Sequence, residues 1–548
     1  MGKLIGIDLG ERTVRAAVLD SGKPVLLAQQ SCNPEESLAI RLMKIAEAAQ
    51  LRLGEPITSA SIALPASWED DKRQQVLEAC KKAGLHDSRK PGDLRLISSL
   101  GALAMADYCG PGGGWEKAQF VLVVRLEECL EAAVAESGSN YIDLAACQVD
   151  SSLSSGSFYG RLAYALANAF LHSCRIDVRS DAAAMAKLQQ AAKEAARQLK
   201  SEPKTVVSIP DLAPGIPLRI QVTREQFLKM TQDLTVRLLK IIHKLIKRAR
   251  DQQGMPNLKI QRILLAGDTP NIYGIAEMLR ADFEGAQDSS ADPALGIVFG
   301  AAYQTGLRSG VHDVLLMEQY LHALHLEAQL PLLPSCTAVP YTAKYRLAKN
   351  GRTSGVITLA KTSPDCASPV QHVKYIISGI PKESDNDPGI ELTVNIDRNG
   401  IWALQATDIA GKQVLPVAPA GDDDAALELL PMLFREPSQE DFRKLEEATV
   451  KKMLPVFDNL VRAWNQPTTD SAYKKGVELT LKELRNVFRE MGAEFYGSAG
   501  ESFDPNIHEA VVHIYDGTRG ENEISLVIEH GVRMHGKILR YAKVQVAN

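Results

Sequence analysis

No two of the eight cysteines, at positions 32, 80, 109, 129, 147, 174, 336 and 366, form a Cys-x-x-Cys pair. That spacing excludes a zinc ribbon or a disulfide framework and suits a reducing, cytoplasmic setting. An excess of charge is missing too: 62 Lys and Arg face 67 Asp and Glu, for a net charge of -5. Such a chain has no general electrostatic drive toward nucleic acid or an anionic membrane. No apolar run approaches the length needed to cross a bilayer. The opening stretch, MGKLIGIDLG, lacks a charged-then-apolar leader layout and reads directly as a strand. Repeats and low-complexity tracts are absent as well. What remains is an ordinary globular composition, 45% hydrophobic and 24% charged. Its 548 residues are too many for one core, so three or four domains are expected.

Residues 1–310 alternate strand and helix patterns. Residues 3–8 and 13–19 read as a hairpin turning at Gly10. Residues 61–64 form a short apolar strand ending at Pro65, followed by a polar helix over 70–83 that Gly84 stops. Further buried strands are expected at 119–124 and 262–265, and long helices near 181–200 and 224–252. A short apolar stretch, HDVLLM, follows at 312–317 with no partner nearby in sequence. From about 320 to 418 the helical period gives way to strand runs at 356–359, 373–377, 390–396 and 401–406, an antiparallel β pattern. Residues 419–436 read as an acidic linker. Ser438 starts a helix with Asp441 in a capping-box-like position. Its apolar seam falls at 442, 445, 449, 453, 456, 460 and 463, with a kink expected at Pro455. Asp470 caps a second helix with a seam at 473, 477, 481, 484, 488 and 491, ended by Gly492. Residues 493–548 alternate as a small β domain.

Several segments carry a resemblance. IGIDLG (5–10) resembles the first phosphate loop of the actin-like ATPases, in which a strand ending in Asp and Gly lets backbone approach phosphate. SIALPASWEDDKRQQVLEACKKAGL (61–85), RILLAGDTP (262–270) and ADPALGIVFGAA (291–302) resemble, in order, further ATPase segments of the DnaK-type chaperones. HDVLLM then sits at the place of that family's interdomain linker. YIISGIP (375–381) and IELTVNIDRNGIWALQATD (390–408) are similar to its β substrate-binding domain. The C-terminal pieces MLPVFDNLVRA (453–463), GVELTLKEL (476–484), FDPNIHEAV (503–511) and HGVRMHGKILRYAKVQV (530–546) resemble GrpE-type exchange factors. The resemblance implies a multidomain chain. A shortened actin-like α/β ATPase fold at 1–310 is followed by a linker at 311–318 and an antiparallel β-sandwich at 319–418. After the acidic linker comes a GrpE-like domain at 437–548, with helices over 438–491 and a β wing over 493–548.

The nucleotide-binding positions that the resemblance transfers are Gly6, Asp8, Gly10, Arg197 and Gly267. Around them the pattern departs. Glu11 and Arg12 stand where the family has small hydroxyl residues. The second phosphate loop is matched by VVRLEECLE (123–131), with Val124 at the Asp position, Leu126, Glu127 and Glu128 at the glycines, and Cys129, read as a packed small residue, at the Thr. A carboxylate ~4 Å from a phosphate charge costs roughly 4 kcal/mol at an effective dielectric of 20. Ser99 and Leu100 replace the catalytic Glu-Pro, Ser154 and Ser155 replace a Gly-Gly, Ala266 replaces a loop glycine, and Lys193 and Ala196 depart on the adenine-facing helix. The lobe that carries the family's catalytic lysine has no room before Ser61. Hydrolysis is therefore not expected, no catalytic residue or metal ligand is assigned, and no cofactor is expected beyond weak ATP or ADP with magnesium.

For the β domain, the implied peptide-binding positions are Leu324, Leu326, Val356 and Thr358, with plain sandwich core as the bland alternative. The arch loop between 327 and 340 is short and a helical lid is missing. For the GrpE-like part the motif positions are Asp504, Pro505, Asn506, His508, Gly531, Met534, Gly536 and Arg540. Met534 is expected at a hairpin tip as an apolar contact, and His508 as a turn histidine bonded to local backbone. The expected partners are a DnaK-type chaperone or the chain's own ATPase-like lobe, an extended peptide, and a second copy through the 438–491 helices. The leading expectation is a non-hydrolysing, cytoplasmic co-chaperone. The alternatives are an ATP-driven foldase with a built-in exchange factor, and an assembly protein whose C-terminal part clamps its own lobe.

Overall fold

The computed structural model describes residues 3–33, 35–85, 94–111, 113, 118–138, 140–255, 257–308, 314–326, 330–349, 351–362, 371–382, 387–420, 439–466, 471–516, 518–534 and 537–548. They form two compact units, Met1–Met432 and Leu433–Asn548.

The first unit opens with β1 (Lys3–Leu9), β2 (Thr13–Asp20), β3 (Lys23–Ser31), α1 (Leu38–Leu53), β4 (Ile57–Leu64), α2 (Asp70–Lys82), β5 (Arg95–Ser98) and α3 (Ser99–Cys109). The strands order as β3-β2-β1-β4-β5, with β1 antiparallel to β2 and parallel to β4. The hairpin turns through Gly10, whose N–H donates to the Thr13 carbonyl. Local chemistry sets the helix ends: the Ser37 hydroxyl caps α1, and Gly54 closes it at positive φ. Only β3, α1 and the start of β4 lie between the hairpin and Ser61, so no extra lobe is inserted there.

A second sheet follows. Its elements are β6 (Gln119–Leu126), β7 (Leu130–Ser137), β8 (Tyr141–Asp150), α4 (Ser155–Cys174), α5 (Ala182–Ser201), β9 (Lys204–Ala213), β10 (Ile216–Thr223), α6 (Arg224–Gln253), β11 (Arg262–Gly267), α7 (Ile275–Asp282), β12 (Gln287–Asp288), α8 (Gly296–Arg308) and β13 (Leu315–Tyr320). Capping boxes at Ser154/Ser157 and Thr223/Gln226 start α4 and α6. Between the two sheets lies α3, apolar on nearly every face and buried along almost its whole length, with its one acid, Asp107, paired to Arg262. Helix α8 presses on β1 so closely that a Cβ on Gly6 would stand 2.2 Å from the Ala302 nitrogen. Gly6 is thus a packing position.

The apolar stretch expected to connect domains finds a partner that sequence proximity could not reveal. Residues 311–313 lie outside the described set, but β13 pairs in parallel with β8, placing Leu315, Leu316 and Met317 opposite Tyr141, Ile142 and Asp143. It also pairs antiparallel with a strand at Thr337–Val339 (β16), so the second sheet runs β12-β11-β6-β7-β8-β13-β16. The remaining β elements of this unit are β14 (Ala323–Leu326), β15 (Leu330–Leu333), β16 (Thr337–Val339), β17 (Tyr341–Leu347), β18 (Ser354–Thr362), β19 (Gln371–Ser378), β20 (Ile390–Ile396), β21 (Trp402–Asp408), β22 (Gln413–Leu415) and β23 (Val417–Pro419). They make two further sheets, β15-β14-β18-β19-β23 and β17-β20-β21-β22. All four expected strand runs fall in these sheets.

The second unit contains α9 (Gln439–Asn465), α10 (Ser471–Glu490), β24 (Ala493–Tyr496), β25 (His508–Ile514), β26 (Glu523–Glu529), β27 (Gly531–Met534), β28 (Lys537–Arg540) and β29 (Ala542–Ala547). Helix α9 passes through Pro455 without ending. Its buried face centres on Val450, Leu454 and Phe457; of the expected row, Met453 and Leu460 pack beside this core, whereas Val456 is 55% exposed. Phe457 packs in an aromatic trio with Phe488 and Phe495, with ring centroids 4.6–5.9 Å apart, which fixes this face of the helix inward. The capping residues Ser438 and Asp470 and most of the acidic linker lie outside the described residues, as do the side chains at 442, 445 and 473.

Candidate functional site

Between the two α/β sheets a cleft with a cavity of about 560 Å³ is lined by Asp8, Gly10, Glu11, Arg12, Arg15, Arg125, Glu127, Glu128, Ser155, Tyr159, Lys193, Arg197, Gly267 and Asp268, among others. Four of the five transferred nucleotide positions, Asp8, Gly10, Arg197 and Gly267, therefore meet in one place; Gly6 does not line it.

The cleft is densely charged and largely self-paired. On the β1–β2 hairpin, Asp8 faces Arg15 across the register and pairs with it at 2.9 Å. Burial pushes the Asp8 carboxyl up from its usual range, against the charges of Arg15 and Arg125. Arg125 ends β6 directly opposite Glu131 on β7. It bonds Glu131 at 2.8 Å and Glu127 at 2.5 Å. Burial alone would lower its pKa, but the charges of Glu131, Glu127 and Asp8 hold it above its ordinary value. Burial raises the Glu127 carboxyl, only partly offset by Arg125. At the cleft mouth, Arg12 pairs with Glu128 at 2.8 Å, joining a loop of the first sheet to one of the second. At the other end, Asp268 accepts from Ser155 at 3.0 Å and Lys193 at 3.3 Å, with Arg197 3.7 Å away. Each of the lining cations Arg12, Arg15, Arg125, Lys193 and Arg197 thus has a carboxylate of the same chain within 4 Å.

Glu131 does more than neutralise Arg125. Its carboxylate, wholly buried, accepts from the Ser99 hydroxyl at 2.8 Å and from the Ser67 backbone N–H at 3.0 Å. A β7 side chain thereby holds the end of β4 and the start of α3. Cys129 beside it is buried, its thiol pushed up to about 12 by burial and by Glu131, which suits a packed residue and not a nucleophile. Gly267 has φ +65°, and a Cβ there would meet the Glu127 Cγ at 2.7 Å. The space beside this glycine is filled by the chain's own carboxylate. The donor set at this end does not suit a magnesium polyphosphate: Glu11, Glu127 and Glu128 present negative charge where bare backbone N–H groups would be needed.

The four peptide-binding positions do not share a face. Leu326 lies opposite Leu359 and Leu324 opposite Lys361, so Leu324 and Leu326 share the face of Ile357 and Leu359, and are buried. Val356 and Thr358 alternate to the other face of β18. Strand alternation within a buried sheet breaks the expected set.

In the second unit several motif residues make local contacts within the fold. Asp504 accepts from the Asn506 backbone and side-chain amides at 2.9 Å each, and its own N–H donates to His508 Nδ1 at 3.0 Å, the local bonding expected of this histidine. Pro505 is exposed. Arg540 grips Asp458 of α9 through two bonds and donates to the His530 carbonyl. Gly531 opens β27 opposite Tyr496. Met534 corrects an expectation: it is 1% exposed, packed in the core of α9, α10 and β27, because its strand pairs with β24 beneath the helices. It is no surface contact. Gly536 lies outside the described residues.

Sequence reasoning missed Arg125, Glu131 and Asp268. The first two were within reach: reading 119–137 as a hairpin turning at 127–129 places Arg125 against Glu131.

A two-lobed α/β cleft continued by β-sandwich sheets defines a class, that of proteins pairing an actin-like ATPase fold with a β domain. The chain belongs to the Hsp70 family, whose "Hsp70 protein" model matches residues 25–515. It is 28% identical over 388 residues to "Chaperone protein dnaK3" of Synechocystis sp., covering 68% of this chain and 48% of the relative. It is also 28% identical to "Chaperone protein DnaK 1" of Synechococcus sp., covering 68% and 50%. The chain spans about half the length of the curated relatives it matches.

Proposed function

We propose that this member of the Hsp70 family is a non-hydrolysing, cytoplasmic chaperone-system protein. Its DnaK-like part serves as a scaffold or peptide holder, and its C-terminal unit as a GrpE-like module promoting nucleotide exchange on a DnaK-type partner. One observation carries the reading: the phosphate end of the cleft is lined by the carboxylates Glu127 and Glu128, and its buried cation Arg125 is already held by Glu127 and Glu131. Phosphoryl transfer depends on positioning and on positive charge at the transferring group, and this arrangement leaves neither free.

A second reading is favoured by the size of the cleft. About 560 Å³ remains, with Asp8, Gly10, Arg197 and Gly267 on its walls, as an ATP-dependent DnaK-type foldase would need. Calorimetric titration of the full-length chain with MgATP and MgADP separates the two. The proposal expects no binding at micromolar ligand and no turnover, together with faster ADP release from a DnaK-type partner. Turnover abolished by Asp8→Ala would overturn it in favour of the foldase.

A further inference from the structure

The β sheets of the first unit are fastened to its first α/β sheet at two places, neither of which touches the cleft. One is a buried cation. Lys361, at the end of β18, has a side chain only 7% exposed and bonds Glu69 at 2.6 Å and Asp70 at 2.9 Å, at the start of α2. Tyr320 of β13 donates to the same Asp70 at 2.8 Å, and the ammonium lies 5.9 Å from the Tyr320 ring centroid. The other is a rigid turn. Asp397 accepts the backbone N–H groups of Asn399 and Ile401, shaping the β20–β21 connection. That turn presents its atoms to β5 and α2: the Asn399 Oδ1 accepts the Leu96 N–H at 3.0 Å, Arg73 of α2 donates to the Asn399 carbonyl at 2.9 Å, and Arg95 donates to the Arg398 carbonyl. Strand β5 is the sheet edge, and an edge strand leaves N–H groups without ladder partners. Asn399 supplies one acceptor where a neighbouring strand would.

The covalent connection is fixed as well. β13 is a strand of the second α/β sheet, and Glu318 within it accepts the Ser98 N–H at 2.6 Å. Ser98 is next to Ser99, which bonds Glu131, so one backbone step joins this seam to the cleft. The cleft side of that step ends on a carboxylate already bonded by Arg125, Ser99 and Ser67.

We propose that the Lys361–Glu69/Asp70 cage and the Asn399 turn form a built-in lock that keeps the β domain docked on the first α/β sheet whatever the cleft holds. Its bonds are all supplied by the chain, and none of its residues lines the cleft. The inference is independent of whether the cleft binds nucleotide, since the lock stands in either case.

The test is residue-level hydrogen exchange on the full-length chain, read at the Leu96 amide. In the wild type, Leu96 should be protected, and saturating MgADP or MgATP should change its rate by less than about twofold. Lys361→Met and, separately, Asn399→Ala should each speed its exchange by about tenfold or more. Asn399 lies on a surface turn, so its variant keeps the test open if Lys361→Met fails to fold. Leu96 exchanging at the open-chain rate in the wild type overturns the proposal, and so does a tenfold change on adding nucleotide. Unchanged protection in a folded Asn399→Ala or Lys361→Met chain overturns it too.

Discussion

Among the buried cations of the first unit, Arg125 and Lys361 differ in how far water has been excluded around their partners. Arg125 sits in the cleft with side-chain exposure of 7%, against Glu131 at 0%. Lys361 at the domain seam is also 7% exposed, but its nearer acid, Glu69, is 44% exposed. The first pair ties neighbouring strands of the second sheet, and its Glu131 also accepts from Ser67 and Ser99 of the first lobe; the second pair joins the α/β part to a neighbouring domain. A charge with a wholly buried partner cannot fall back on solvent when the partner is lost, whereas a half-exposed acid can. The lobe seam is therefore the stiff joint and the domain seam the yielding one.

Removing each cation should sharpen the contrast. Arg125→Met strands Glu131 and Glu127, and should cost about 3–5 kcal/mol in denaturant unfolding of the first unit at neutral pH. A loss below about 1 kcal/mol would erase the distinction. Lys361→Met leaves Glu69 able to turn to water, so about 1–2 kcal/mol is expected, appearing first as local opening at Leu96 and only then as global unfolding.

Acid should act on the domain seam first. Burial, and then the charge of Lys361, hold the His322 pKa below its usual value, so the folded seam prefers neutral imidazole. Burial pushes Glu69 up, but the Lys361 hydrogen bond and charge outweigh it and leave its pKa lowered. For a depressed histidine, the unfolded state takes up protons first. Stability is full above the unfolded value of about 6.5 and declines as pH falls toward the lower folded value. The Glu69 contribution is full above its unfolded value of about 4.3 and is lost as pH falls through the lowered folded value. Tyr320, Asp70 and Arg73 complete the seam. The protection of Leu96, measured against the open-chain rate at each pH, should fall between pH 7 and 5.5 while amides around Ser99 keep theirs; an equal fall at both would place the soft joint elsewhere. The smallest effect belongs to Arg12→Ala: its pair with Glu128 is exposed on both sides, 69% and 46%, and its loss should move stability by less than about 0.5 kcal/mol.

Local chemistry made much of the fold legible. The hairpin at Gly10, the helix closed by Gly84, the long helices and the β runs all follow from periodicity and from turn or cap residues within a few positions. The sites were harder. Lys361 meets Glu69 across 292 residues, and nothing near either one announces the other. Arg125 and Glu131 are only six apart, but they become partners only once the turn between them is recognised. Val456 and Phe457 show a further limit: both fit an apolar helical row, and the choice was made by two phenylalanines, at 488 and 495, on other elements. Met534 failed for the same reason, since a hairpin end reads as surface until helices are seen to cover it.

Strand β13 also sets a timetable for the chain's synthesis. Its partner strand contains Tyr141, and Leu315 is made 174 residues later. At typical elongation rates this interval lasts about 10–35 s. Throughout it, the β8 edge of the second sheet stays open on the nascent chain, a row of unpaired backbone groups of the kind that recruits stray strands. The α/β domain is thus finished only when the segment leading into the next domain has been made, and a ribosome stalled before Leu315 leaves a sheet with its edge still exposed.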